Sequence, residues 1–376
     1  MLTPNYINNQ LPKRLVSLMG EIETEMLKRV AHYLKKYGKV TGTAEFLLLK
    51  QTQYNLLYKD LLEIIARYSE KTKSTIAEAF NESVVRSVEY DNRLIANAAK
   101  AGVFKPTATV ATASREAMER TLKTAIQRAI NIQNLTNTKC MQSALDAFTR
   151  ASDKAYLSVL NGAKAFNAAY RSAVDELAGS GITVVEYSRN GKTFNYTIEA
   201  ATRRNLITSV NQTAAMISIQ NATALGSNLV EVTSHAGARP SHAEWQGGRY
   251  WINSPVKGYG SLVDICGYGR ADGLCGINCY HSFFPCFEDT PKAFDKNPAR
   301  KLGIDNDKLY ELNQKQRGIE REIRNAKRAA DIYKSTGLTE ALNKANVQVR
   351  EKQAKMREFL AQNPILKRDY QREQIG

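Results

Sequence analysis

Three of the four histidines and four of the five cysteines fall in one stretch of the chain: His235, His242, Cys266, Cys275, Cys279, His281 and Cys286. Thiolate and imidazole are the preferred ligands of a closed tetrahedral zinc site, so a structural metal is the first chemistry that this clustering suggests. The spacing supplies one short pair, Cys275-x3-Cys279, with His281 two residues further on, and no second short cysteine pair. Cys266, Cys275, Cys279, His281 and Cys286 are the candidate ligands. The competing reading is a set of buried, unmetallated thiols beside hydrogen-bonded histidines, cysteine being among the most buried residue types. No cofactor is expected, structural zinc being the one candidate.

Catalytic motifs fare less well. His242-Ala243-Glu244 has the H-x-E form in which His binds zinc and Glu shuttles protons, but Pro285-Cys286 is followed by Phe287, Glu288 and Asp289, so the second half of a deaminase signature is missing a cysteine. Gly191-Lys192-Thr193 imitates the end of a phosphate loop, with Glu186 where the first glycine belongs. Gly267-Tyr268-Gly269-Arg270 lacks the flanking strand and helix of a dinucleotide fingerprint, and no G-x-S-x-G elbow exists. Glu320-Arg321-Glu322 has the form of the paired acids of ADP-ribosylating enzymes, but lies mid-helix, where Glu is simply a good helix former. The chain reads as a non-enzyme. The alternative is a hydrolase or deaminase-like enzyme or metal-binding domain using the His235–Cys286 cluster, with His242 or Glu244 as acid/base.

The elements around this segment follow from periodicity. Residues 1–180 are almost all helical text. Val159, Ala163, Phe166, Tyr170, Val174 and Leu177 predict one helical face that Gly179-Ser180-Gly181 stops. Ile182–Tyr187 and Thr193–Ile198 are β-branched and aromatic runs around Asn190-Gly191, the signal for a two-residue hairpin turn. Glu199–Leu225 reads as a helix and Leu229–Thr233 as a strand delivering the chain into the His-rich segment. In the last part, Leu309, Leu312, Gln316, Ile319, Ile323, Ala326, Ala330 and Tyr333 alternate steps of three and four. A similar course from Leu338 to Phe359 follows Ser335-Thr336-Gly337, predicting an antiparallel helical hairpin with a narrow apolar seam. The expected class is α+β, predominantly α-helical. It comprises a helical N-terminal domain (1–180), a small mixed α/β His/Cys-rich domain (181–290) and a charged helical hairpin or tail (291–376).

Lys and Arg outnumber Asp and Glu by 53 to 37, a net charge of +16. Half of that excess lies between Pro291 and Gly376, where twenty basic residues face twelve acidic ones, 20 − 12 = +8. Such a surface attracts polyanions, or serves as a solvated face over an intramolecular seam. No apolar run is long enough to span a membrane and no secretory leader is visible, so a cytoplasm with reduced thiols is expected.

Taken together, His235-Ala-Gly-Ala-Arg239-Pro240-Ser241-His242, Trp245-Gln246-Gly247, Cys275-Gly-Ile-Asn278-Cys279-Tyr-His281 and Pro285 resemble the core signature of phage minor capsid proteins of the minor capsid 2 type and their Mu F-like relatives. The opening Met1-Leu2-Thr3-Pro4 with its basic helix, and Thr41-Gly42-Thr43-Ala44 before another helix, are similar to the same family, so the resemblance spans most of the chain. Cys266 and Cys286 do not match its shared core. The resemblance implies a structural head protein of the virion, assembled in the host cytoplasm. It also implies association with the portal vertex, and a role in head assembly and in DNA packaging or ejection. Its implied partners are the portal protein, other head proteins and packaged double-stranded DNA, with no membrane. Within the family pattern, His235, Arg239, His242, Trp245, Gly247, Cys275, Asn278, Cys279 and His281 are expected to converge on one structural cluster.

Overall fold

A computed structural model describes residues 1–37, 43–100, 102, 110–189, 192–224 and 226–375. The chain is predominantly helical, 72% of it, with small sheets of few strands. In order, the elements are α1 (Lys13–Leu34), α2 (Thr43–Lys100), α3 (Val110–Leu160), α4 (Phe166–Ser180), β1 (Thr183–Arg189), β2 (Lys192–Thr197) and α5 (Ile198–Ala224). There follow β3 (Leu229–Val232), α6 (Pro240–Ala243), β4 (Arg249–Trp251), β5 (Gly260–Ser261), α7 (Leu262–Cys266), β6 (Phe283–Cys286), α8 (Asn306–Thr336) and α9 (Thr339–Gln362). They form two compact units interleaved along the chain: residues 1–14, 73–132 and 203–314 in the first, 15–72, 133–202 and 315–376 in the second.

In the second unit, α1 buries Leu15, Leu18, Ile22 and Met26, spaced by three and four as one face of a helix requires. Cys140, the cysteine outside the His-rich segment, is also buried here, its Sγ 3.7 Å from Met26 Sδ. The apolar pattern from Val159 to Leu177 is carried by two helices rather than one: the chain leaves α3 at Asn161, Gly162 takes φ +67°, and Lys164 N–H donates to Ser158 O at 3.0 Å. Glycine's freedom at positive φ allows that break inside a continuous hydrophobic rhythm. β1 and β2 pair antiparallel with Arg189 opposite Lys192, and the Asn190-Gly191 turn lies outside the described residues, as do Thr41-Gly42. The seam of the last helices packs as expected: Ile319 and Ile323 of α8 meet Met356, Phe359 and Leu360 of α9, with Gly337 at φ +72° between the helices.

The second unit also buries a charge cluster. Arg328 of α8 lies 3.1 Å from Glu23 of α1 and 3.3 Å from Glu199 of α5, and Arg324 lies 3.3 Å from the other Glu199 oxygen. Ile182 N–H donates to Glu23 Oε1 at 2.6 Å. Burial pushes the Glu23 carboxyl up, and the Arg328 guanidinium pulls it back. Gly181, at φ +67°, ends α4 against this cluster: a Cβ there would meet Glu23 Oε1 at 2.9 Å and Arg328 Nη1 at 3.0 Å.

The first unit holds a four-stranded sheet in the order β5-β4-β3-β6. β3 pairs antiparallel with both β4 and β6, and β4 runs parallel to β5. Because successive side chains alternate across a sheet, the register sorts them into two sets. Val230, Val232, Tyr250 and Phe283 face a core that also holds Trp245, Leu262, Cys266, Leu274, Cys275 and Cys279. Leu229, Glu231, Arg249, Trp251, Phe284 and Cys286 belong to the other face. Elsewhere in this unit, Asp91 of α2 is fully buried and accepts from Ser218 Oγ at 3.1 Å and Asn221 Nδ2 at 3.3 Å, both on α5. Burial raises its carboxyl to about 6 against the smaller downward pull of those two hydrogen bonds.

Two outcomes follow from the buried charges. Arg328→Met leaves Glu23 and Glu199 without their shared counter-ion, and urea denaturation is expected to show a loss of about 3–5 kcal/mol that adding Glu23→Gln partly restores. Asp91, with a folded value raised from 3.8 to about 6, contributes its full stability below pH 3.8 and loses it as pH rises through about 6. The Tm difference between wild type and Asp91→Asn should therefore shift against wild type across that window; a constant difference would show that Asp91 does not titrate there.

Candidate functional site

The His/Cys segment folds onto the core face of the sheet in the first unit. The loop after β3 carries His235 to Arg239, and Pro240, whose fixed φ suits a first helical position, opens α6 with His242 on its buried side. Asn306, at the start of α8, holds this loop by a reciprocal pair: Ala238 N–H donates to Asn306 Oδ1 at 3.1 Å, and Asn306 Nδ2 donates to Ala238 O at 2.9 Å. Gly247, at φ +63°, lets the chain pass the backbone of Asp295, where a Cβ would lie 2.6 Å from the carbonyl oxygen.

His281 is the centre of the arrangement and is 1% exposed. Its ring lies 4.6 Å from that of His235, 5.5 Å from that of His242 and 5.0 Å from the Trp245 ring, centroid to centroid. His242 in turn lies 4.6 Å from Trp245. Cys279 Sγ stands 3.7 Å from His281 Nδ1, and Cys275 Sγ and Cys279 Sγ both lie 3.8 Å from the His281 carbonyl oxygen. Burial, reinforced by the neighbouring His235 and His242, holds His281 well below the usual imidazole range, and burial also lowers His242. Both rings are neutral near pH 7. Burial raises the Cys279 thiol to about 11 and holds Cys275 well above its ordinary value.

The hydrogen bonds fix the tautomers. The main-chain N–H of His235 can only donate, and it meets Gln246 Oε1 at 3.0 Å, so that amide atom is the oxygen. His281 Nε2, 3.0 Å from the same oxygen, must carry the proton. His242 Nε2 lies 2.9 Å from the main-chain carbonyl of Asp272, which only accepts, so it is protonated too. Each neutral ring thus keeps its lone pair on Nδ1.

The structure therefore brings His235, His242, Trp245, Cys275, Cys279 and His281 together. Arg239 lies at the margin, its Nη2 donating to Ile277 O at 3.2 Å. Cys275 and Asn278 both have positive φ, +58° and +54°, and shape the tight turn that carries Cys279. Asn tolerates that region readily, whereas for Cys it is uncommon. Cys266 belongs to the same core but lies outside the closest group, packed toward Tyr250, and Cys286 sits on the opposite sheet face, as does Trp251. A metal-ligand set of His242, Cys279 and His281 has one atom from each within 4.8 Å of the others. His242, whose H-x-E form suggests a zinc ligand, belongs to this set, whereas Cys266, Cys275 and Cys286 do not.

Sequence reasoning missed the polar residues that hold the cluster. Asn211 of α5 is fully buried and its Nδ2 donates to Cys279 O at 2.8 Å and His281 O at 3.4 Å. Glu231 and Arg249, paired across β3 and β4 at 2.9 Å, secure the far side of the sheet: Arg249 also reaches the carbonyls of Phe287, Glu288, Thr290 and Pro291, and Glu231 Oε1 accepts from the main-chain N–H groups of Ala293 and Phe294. Nothing local in the sequence marks a lone Glu or Asn for such work; the cross-strand pairing supplies the signal.

The heart of the cluster is buried, with His235 half-buried at its edge. His242, Cys275, Cys279, His281 and Trp245 are all buried, while Glu244, the other half of the H-x-E pattern, is exposed. Glu320 and Glu322 are likewise engaged structurally, Glu320 with Arg372 at 3.7 Å and Glu322 with Lys352 and Lys355 at 3.0 and 3.1 Å.

A helix-rich chain whose His/Cys cluster is largely buried matches a family of structural proteins. The family model described as phage minor capsid protein 2 matches residues 2–361, and the chain belongs to this family of phage structural proteins. A structural protein of Lactococcus phage LL-H is 24% identical over 346 residues, covering 89% of this chain and 90% of that protein. A structural protein of Lactococcus phage mv4 is 33% identical over 122 residues, 31% of this chain and 93% of that protein. No solved structure matches the chain.

Gln246→Ala removes the acceptor shared by the buried His281 Nε2–H and the part-buried His235 main-chain N–H. It is expected to cost roughly 2–5 kcal/mol in chemical denaturation, because both N–H groups lose their partner; a loss below about 1 kcal/mol would mean that water or rearrangement satisfies them.

Proposed function

We propose that this phage minor capsid protein acts at the portal vertex of the head, where its helices bind the portal protein and other head proteins and its basic surface faces packaged double-stranded DNA. The observation that carries this reading is an apolar face left open on the long helix α2. Leu47, Leu48, Tyr58 and Leu62 are all exposed, Leu48 by 72%. At about 100° per residue, their positions fall within about 100° of arc on one side of the helix, which they share with the exposed Gln51 and Asn55. An exposed stripe of that kind on a helix marks a surface for another protein.

Charge supports the DNA side of the reading. In residues 291–376, pairing every acidic residue with a basic one would still leave an excess of eight cations. Several of those acids are in fact engaged, among them Glu322, Glu340 and Glu373. Contacts of such a surface with phosphates release counter-ions and favour assembly on packaged DNA irrespective of its sequence. No described helix is long and apolar enough to cross a membrane, so the surface is not explained by a membrane-spanning role of these helices.

Quantitative mass spectrometry of gradient-purified particles tests the proposal. The chain is expected at a copy number comparable to that of the portal protein and far below the major capsid protein, and Leu48→Glu/Leu62→Glu should fold normally by circular dichroism yet fail to enter particles. Absence of the wild-type chain from both procapsids and virions, despite abundance in the lysate, would overturn the reading and direct attention to an enzymatic role.

A further inference from the structure

We propose that His242, Cys279 and His281 bind a single zinc ion, or a divalent cation of similar softness, that clamps the small domain of the first unit. The ligand atoms come from separate parts of the fold: His242 from α6, and Cys279 and His281 from the segment between α7 and β6. One atom from each lies within 4.8 Å of the others, and Cys279 Sγ and His281 Nδ1 are already 3.7 Å apart. Donor atoms around a tetrahedral zinc lie about 3.5 Å from one another, so closing the set shortens the longest separation by up to about 1.3 Å.

The tautomers give the stronger argument. A histidine that binds a metal characteristically donates its other ring N–H to a carbonyl or carboxamide oxygen, which fixes the ring and leaves the ligating lone pair free. Both rings meet this condition through Nε2, His281 on Gln246 Oε1 at 3.0 Å and His242 on Asp272 O at 2.9 Å. Each therefore holds Nδ1 for a ligand. A metal-free thiol–imidazole hydrogen bond engages the Nδ1 of only one ring, whereas a cation engages both and the sulfur together.

The donor set selects the ion. One thiolate and two imidazoles suit zinc and its borderline neighbours and disfavour calcium and magnesium, which need oxygen ligands. When the Zn–S bond forms, the Cys279 thiol gives up its proton, so one proton is released to the medium for each ion bound. Three protein donors leave one coordination position for water.

Cobalt(II) is the spectroscopic probe. Full-length protein, reduced and stripped with a chelator, should take up one equivalent of Co²⁺, develop the visible bands of a tetrahedral site with a thiolate charge-transfer band, and lose them on addition of Zn²⁺. Cys279→Ser should lose the charge-transfer band, whereas Cys286→Ser, on the opposite sheet face, should keep it. Should Cys279→Ser not fold, a Zn²⁺-dependent rise in the Tm of the stripped wild-type chain decides. Folded, reduced wild type without tetrahedral bands, a charge-transfer band that survives in Cys279→Ser, or a Tm indifferent to Zn²⁺ would each overturn the assignment.

Discussion

One amide oxygen sets the chemistry of the small domain. Gln246 Oε1 accepts from the part-buried main-chain N–H of His235 and from the buried Nε2–H of His281. Leaving either unpaired would cost free energy comparable to the net worth of one or more hydrogen bonds, so the position of this oxygen is not negotiable within the fold. From it follows the tautomer of His281, and from that tautomer the direction of the lone pair toward Cys279. Asn211 acts in the same way one step removed, holding the carbonyls of Cys279 and His281 from α5, and Asn306 holds the loop that precedes α6. The cluster is thus positioned by three neutral amides, groups that can satisfy donors and acceptors at once without bringing a charge into the core.

The opposite face of the same sheet uses charge instead. Glu231 and Arg249 face each other across β3 and β4, both nearly inaccessible, and between them they satisfy main-chain groups from Phe287 to Phe294. A buried ion pair in isolation is weak evidence for stability, since desolvation offsets much of its attraction. Here the additional hydrogen bonds change the balance: the guanidinium donates to several carbonyls and the carboxylate accepts two N–H groups, so the pair organises a segment that lacks regular secondary structure. Short strands of two to four residues could not hold that segment by ladder bonds alone.

Much of this architecture is legible in the sequence where the physics is local. The hairpin strands flank Asn190-Gly191, α5 and β3 fall within a residue or two of their periodic runs, and the α8–α9 seam follows steps of three and four. The density of His and Cys marks the segment that packs on the sheet before any contact is known. What is not legible is what depends on register. Whether Cys286 and Trp251 join Cys279 or face away from it is decided by which residue pairs with Leu229, and strands as short as β4 and β6 carry no periodic signal that would fix it. The hydrogen-bond partner of His242 is illegible for a related reason: it is a main-chain carbonyl thirty residues away, whose position only the folded loop defines. The break at Gly162 was concealed by an apolar rhythm that continues across it.

The buried charges and the open surface belong to one argument about what such a chain must do. The cluster of Glu23, Glu199, Arg324 and Arg328 joins α1, α5 and α8, elements far apart in sequence, at a point where purely apolar contacts would allow several helix registers. Charges that must find particular partners permit only one, which is the best-attested use of buried polar groups. A head protein needs such definition more than it needs stability, because its exposed faces must meet neighbours in fixed geometry. Alongside these buried charges, α2 leaves leucines and a tyrosine in water and the chain carries a large positive charge. In the proposed role, the cost of exposing that surface would be recovered on assembly, when apolar area leaves water.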